Sequence, residues 1–113
     1  MSRPVLSTHV LDVSTGKPVP GMFVELYKKR DELWTQWHNT VTNSDGRIQF
    51  PFLPESMGAG TYKLKFNVEE YYSRNSKETL YPFVEISFKT KEGDHYHIPL
   101  LLSPYGYSTY RGS

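Results

Sequence analysis

The 113-residue sequence predicts an all-β protein, a two-sheet antiparallel β-sandwich of about eight strands plus one short helix. Apolar and polar residues alternate at period two in three clear segments, and turn-forming residues recur between them. Nine Tyr, six Phe and two Trp, 15% of the chain, add the aromatic content that strands favour. A parallel α/β fold would need several crossover helices, and the patterning supplies one helix only. The length fits a single domain over residues 1–113.

The elements follow in chain order. Residues 6–12 form a strand whose more apolar set is Leu6, Thr8 and Val10. Thr15-Gly16-Lys17-Pro18 and Pro20-Gly21 then break the chain. In segment 22–29, Met22, Val24 and Leu26 oppose Glu25, Tyr27 and Lys29. A strand over 33–42 runs into Asn43-Ser44-Asp45-Gly46, residues that tolerate positive φ and read as a hairpin turn into a short strand over 47–50. That turn lacks the acidic residues a calcium loop requires. Alternation is cleanest over 61–68, where Tyr62, Leu64, Phe66 and Val68 face away from Thr61, Lys63, Lys65 and Asn67. Asn67 caps the helix, Glu70 completes a capping-box pattern, and Asn75 closes it. After a loop over 76–82, Val84, Ile86 and Phe88 alternate with Glu85, Ser87 and Lys89. Strands over 96–103 and 107–111 finish the chain as a hairpin across Ser103-Pro104-Tyr105-Gly106.

Phe23, Tyr27, Trp34 and Phe83 fall out of phase with the aliphatic positions, which implies a second buried surface and association with further copies of the chain. Thirteen Lys and Arg against twelve Asp and Glu leave a charge of +1, so no basic field invites nucleic acid. The longest apolar run, Leu100-Leu101-Leu102, is too short for a membrane helix. Residues 1–4 carry no signal-like apolar region, giving the expectation of a cytoplasmic address, or a periplasmic one if a leader was removed. The absence of cysteine excludes disulfides, thiolate nucleophiles and Cys-ligated metals.

Phase sorts the histidines. His9 shares the outward face of its strand with Ser7 and Leu11, and His95 and His97 fall outward from Tyr96 and Ile98. His95 and His97 have the spacing of a His-x-His metal pair, a weak signal for which His9 is the only obvious third ligand. His38 lies on a strand with no supporting motif and reads as a solvated surface histidine. The carboxyl-terminal run 107–113 begins on a hairpin strand and so looks anchored, with Tyr110, Arg111 and Ser113 available to a site as a phenol, a planar fork and a carboxylate.

Three stretches carry a family likeness: Ser7-Thr8-His9-Val10-Leu11-Asp12, Asn43-Ser44-Asp45-Gly46-Arg47, and the run from His97 to the terminal Tyr110-Arg111-Gly112-Ser113. Together they closely resemble the transthyretin-related 5-hydroxyisourate hydrolases. Transthyretin itself shares the preceding Leu-Ser-Pro-Tyr and Tyr-Ser-Thr elements and departs at the terminal four residues. The resemblance implies a transthyretin-like (prealbumin-like) sandwich assembled as a homotetramer, with sites in a channel between dimers. It also implies hydrolysis of the lactam ring of 5-hydroxyisourate in urate catabolism, with no metal or other cofactor. Carried over position by position, it puts His9 and His97 in catalytic roles and His9, Arg47, Tyr110, Arg111 and Ser113 at the substrate. His95 is outside that set. Which histidine is the base and which orients is open. The alternative is a transthyretin-like carrier binding small aromatic ligands in the same channel; against it, His9, Tyr110 and Arg111 stand where a dry channel would favour small or apolar residues.

Overall fold

A computed structural model of the chain describes residues 5–52 and 54–113. The strands are β1 (Leu6–Asp12), β2 (Lys17–Pro18), β3 (Phe23–Arg30), β4 (Leu33–Val41), β5 (Arg47–Gln49), β6 (Gly60–Phe66), β7 (Val84–Thr90), β8 (Tyr96–His97), β9 (Leu100–Ser103) and β10 (Gly106–Thr109). Two helices, α1 (Pro54–Met57) and α2 (Val68–Arg74), accompany them. One sheet has the order β4-β3-β6-β7; the other runs β10-β9-β1-β2, with β5 and β8 also paired to β1.

The period-two alternation becomes the inner faces of this sandwich. Leu6 and Val10 of β1 and Leu100 and Leu102 of β9 are fully buried, as are Val24, Leu26, Tyr62, Leu64 and Phe66 of the other sheet. Each such leucine contributes about 2 kcal/mol by leaving water. A one-residue slip would turn the whole set outward, so burial fixes the register.

Several elements depart from the sequence reading for identifiable reasons. The strand expected over 96–103 is two strands, because Pro99 has no N–H to give a ladder. Both pieces pair with β1 in parallel, Leu6 beside Tyr96 and Val10 beside Leu100, within an otherwise antiparallel fold. Val68, expected to end a strand, opens α2. Asn67 stands at the N-cap but makes no side-chain cap bond; the Glu69 amide donates instead to the Pro82 carbonyl at 3.2 Å. Asn75 closes the helix as expected. The four-residue α1 and the two-residue β2 were not foreshadowed by the patterning.

The Asn43 to Gly46 turn forms, yet it is no hairpin within one sheet, since β4 and β5 belong to different sheets. A β-bulge corrects the reading of His38. The register between β3 and β4 shifts from Leu26 opposite His38 to Tyr27 opposite Gln36, leaving Trp37 as the extra residue. Trp37 and His38 are consequently both half-buried, and His38 packs edge-on against Phe50 and Phe52, 5.9 and 5.6 Å between centroids.

On the outer face of the four-stranded sheet, three of the four out-of-phase aromatics carry lysines. Lys63 Nζ lies 5.1 Å from the Tyr27 ring centre and 4.5 Å from that of Trp34, and Lys65 Nζ lies 4.4 Å over Phe83. Among the described residues, no helix is long and apolar enough to cross a membrane.

Candidate active site

Strand β1 gathers the site. Its antiparallel register with β5 sets His9 opposite Arg47 and Ser7 opposite Gln49, while its parallel register with β8 sets Ser7 beside His97. Residues opposite one another share a face, so these five side chains stand together on the side of the sheet away from the core. There Ser7, Thr8, Arg47, Ile48, Gln49, His95, His97 and Ser113 line a cleft of ≈ 230 Å³, and His9 stands beside it on the Arg47 register.

Arg47 owes its position to the turn before it. The Asn43 side-chain oxygen accepts from the amides of Asp45 and Arg47, both at 2.9 Å, and the Gly46 amide donates to the Asn43 carbonyl at 2.9 Å. Gly46 has φ of 73°, and a Cβ there would come within 2.6 Å of the Val10 carbonyl oxygen, so only glycine fits. Arg47 emerges exposed at the cleft.

The tail is anchored, as expected. It runs back along β8, where the Gly112 amide donates to the His97 carbonyl at 2.7 Å. His95 Nε2 lies 3.4 Å from the main-chain oxygen of Ser113, and Arg111 donates to the His95 carbonyl at 3.0 Å.

His9, Arg47, His97 and Ser113 are thus brought together, whereas two residues of the expected set are not. The Arg111 guanidinium lies 4.4 Å over the Tyr96 ring and lines a neighbouring pocket with Phe88 and Ile98. Tyr110 is 55% exposed and does not line the cleft. Conversely, Ser7, Gln49 and His95 join the cleft without having been singled out for the substrate. Ser7 meets His97 only through parallel pairing across ninety positions, which no local signal announces.

Both imidazoles are biased toward neutrality. Burial lowers the His97 pKa most, followed by the charges of Arg47, His9 and His95, against a hydrogen bond to the Ser7 main chain. Burial and Arg47 lower His9 in the same way, while the main chain and carboxylate of Asp45 oppose them. A neutral imidazole accepts a proton, and a guanidinium beside it meets developing negative charge. Among the described residues, no three His, Asp or Glu side chains form a metal-holding group.

Fold and site together define a transthyretin-like sandwich with a histidine and arginine cleft on one sheet face. The chain belongs to the HIUase/Transthyretin family, whose model matches residues 6–112. It is 44% identical over 110 residues to the 5-hydroxyisourate hydrolase of Salmonella dublin, covering 96% of this chain and 81% of that protein. The mouse 5-hydroxyisourate hydrolase is 42% identical over 111 residues, covering 96% and 94%. The solved Klebsiella pneumoniae 5-hydroxyisourate hydrolase superposes with a TM-score of 0.83 at 40% identity, over 96% of this chain and 98% of that one. Transthyretin from Sparus aurata superposes at 0.91 with 28% identity, over 97% of both chains. Backbone shape alone therefore does not separate hydrolase from carrier. Sequence identity to the hydrolases does.

Proposed function

We propose that this chain is a hydrolase that opens the lactam ring of 5-hydroxyisourate to 2-oxo-4-hydroxy-4-carboxy-5-ureidoimidazoline in urate catabolism. The observation that carries the proposal is the convergence of His9, Arg47 and His97 on one sheet face beside the anchored tail. The relatives named above, hydrolases of the same ring at 40% identity or more, support it. A neutral imidazole takes a proton from water as the oxygen attacks the lactam carbonyl. Arg47 faces the oxyanion of the tetrahedral intermediate, and its fork matches the carbonyl edge of the planar ring. Collapse breaks the ring C–N bond, and the departing nitrogen takes up the proton held by imidazolium. Tyr110, Arg111 and Ser113 belong to the proposed substrate set, with Ser113 already at the cleft and the other two needing to reorient or to serve a neighbouring copy.

The active form is proposed to be a homotetramer. Strands β7 and β10 end their sheets, and Leu11 and Leu101, register partners in β1 and β9, extend the site's own face as a half-buried apolar patch. Such a patch favours a second copy over water.

The test is spectroscopic. With 5-hydroxyisourate generated from urate by urate oxidase, the purified protein should speed the ultraviolet decay of the substrate well beyond its spontaneous rate. His9→Ala and His97→Ala should each lower kcat by roughly a hundredfold or more. Failure of the intact chain to accelerate decay would overturn the assignment, and tight binding of a thyroid-hormone-like aromatic without turnover would favour the carrier.

A further inference from the structure

The imidazole of His97 is held on two edges by residues that take no part in proton transfer. The Ser7 hydroxyl lies 2.8 Å from His97 Nδ1. Ser7 is only 8% exposed, so little water competes for that bond. Its main chain is fixed beside β8, the Ile98 amide donating to the Ser7 carbonyl at 2.9 Å. The opposite edge of the ring faces Gly112, where a Cβ would overlap the imidazole Cδ2. Gly112 is thus the backing that stops the ring from swinging out.

With Nδ1 turned to Ser7 and Cδ2 to Gly112, Nε2 is the nitrogen left for the cleft. We infer that Ser7 is a positioning residue for His97: its hydroxyl keeps the proton on Nδ1, so that the Nε2 lone pair is presented to the attacking water. A hydroxyl accepts from Nδ1–H and swings freely, so it holds the ring through the gain and loss of the Nε2 proton. The inference rests on the proposed role of His97 in proton transfer, but it has a readout that needs no substrate.

The intact chain, labelled with nitrogen-15, gives the protonation pattern of His97 from long-range proton–nitrogen spectra. The native protein should show the Nδ1–H tautomer, Ser7→Ala a mixture of tautomers, and Ser7→Thr, which keeps the hydroxyl, the native pattern. Kinetically, Ser7→Ala should lower kcat roughly tenfold while KM stays within about twofold, and Ser7→Thr should recover most of the loss. If the alanine variant unfolds, Ser7→Cys, close in volume and with a weakly accepting sulfur, should give the same kinetic and spectral changes. Native-like spectra and an unchanged kcat in Ser7→Ala would overturn the inference, as would a loss confined to KM. Absence of 5-hydroxyisourate turnover in the native chain would instead remove the proposed function, and the spectra would still decide the role of Ser7.

Discussion

A histidine serves as a base only while it is neutral, and this cleft is built to keep two of them so. Burial and the fixed charge of Arg47 disfavour the protonated rings of His9 and His97. Proton NMR titration should therefore place both below the ordinary value of 6.5, and the acid limb of kcat/KM should lie below that pH as well. Replacing the guanidinium, Arg47→Met, removes a cation from both rings and should move both titrations upward, whatever it does to turnover. Unmoved titrations would show that Arg47 does not act on them. The same depression links to stability. Below pH 6.5 the unfolded chain binds protons that the folded one still refuses, so stability present above that pH should decline as pH falls toward the folded values. At this scale the sequence was legible where phase decides: His9 and His97 point outward as their alternation says, and Arg47 follows its turn. Ser7 was not legible as a partner of His97, because a parallel pairing between distant strands leaves no mark on either. The resting place of Arg111 was not legible either. Its residue type suited the site, but Tyr96 offers its guanidinium a ring face nearby.

Among the elements, the turn from Asn43 to Gly46 joins fold to function most directly. It carries the chain from β4 in one sheet to β5 in the other, and Arg47 begins β5. Gly46 holds positive φ and sits where a Cβ would strike the Val10 carbonyl oxygen and the Val19 amide nitrogen, both main-chain atoms that cannot step aside cheaply. Gly46→Ala should therefore cost about 2 kcal/mol or more of stability, read by urea unfolding, and should weaken kcat/KM as Arg47 shifts. A variant of native stability would show that the turn relaxes freely. Element type was legible here and throughout, since alternation and turn residues act locally. Partnership was less so. Pro99 explains the break between β8 and β9 in hindsight, but nothing near Trp37 signals the bulge that turns His38 onto Phe50 and Phe52.

For the whole molecule, the question is what covers the face that bears the cleft. Of the four outward rings that the sequence suggested would meet another copy, Tyr27, Trp34 and Phe83 lie under lysines of their own chain on the opposite sheet, and Phe23 does not. The site's own face adds Leu11 and Leu101 to the case for assembly, and these adjoin the histidine end of its sheet. Burying a leucine there is worth about 2 kcal/mol, and two-fold symmetry repeats each contact, so a single charge should be felt twice across each interface. Leu101→Lys should preserve the fold by circular dichroism, since its side chain is not part of the core. Light scattering at micromolar concentration should then give a species smaller than the tetramer proposed for the native chain. If the cleft draws residues or closure from the facing copy, hydrolysis should fall together with the tetramer fraction and recover as protein concentration rises. A native chain that is monomeric at that concentration would remove the proposed assembly. A dissociated Leu101→Lys variant with full turnover would show that one sheet face, from Ser7 to Ser113, holds the whole site.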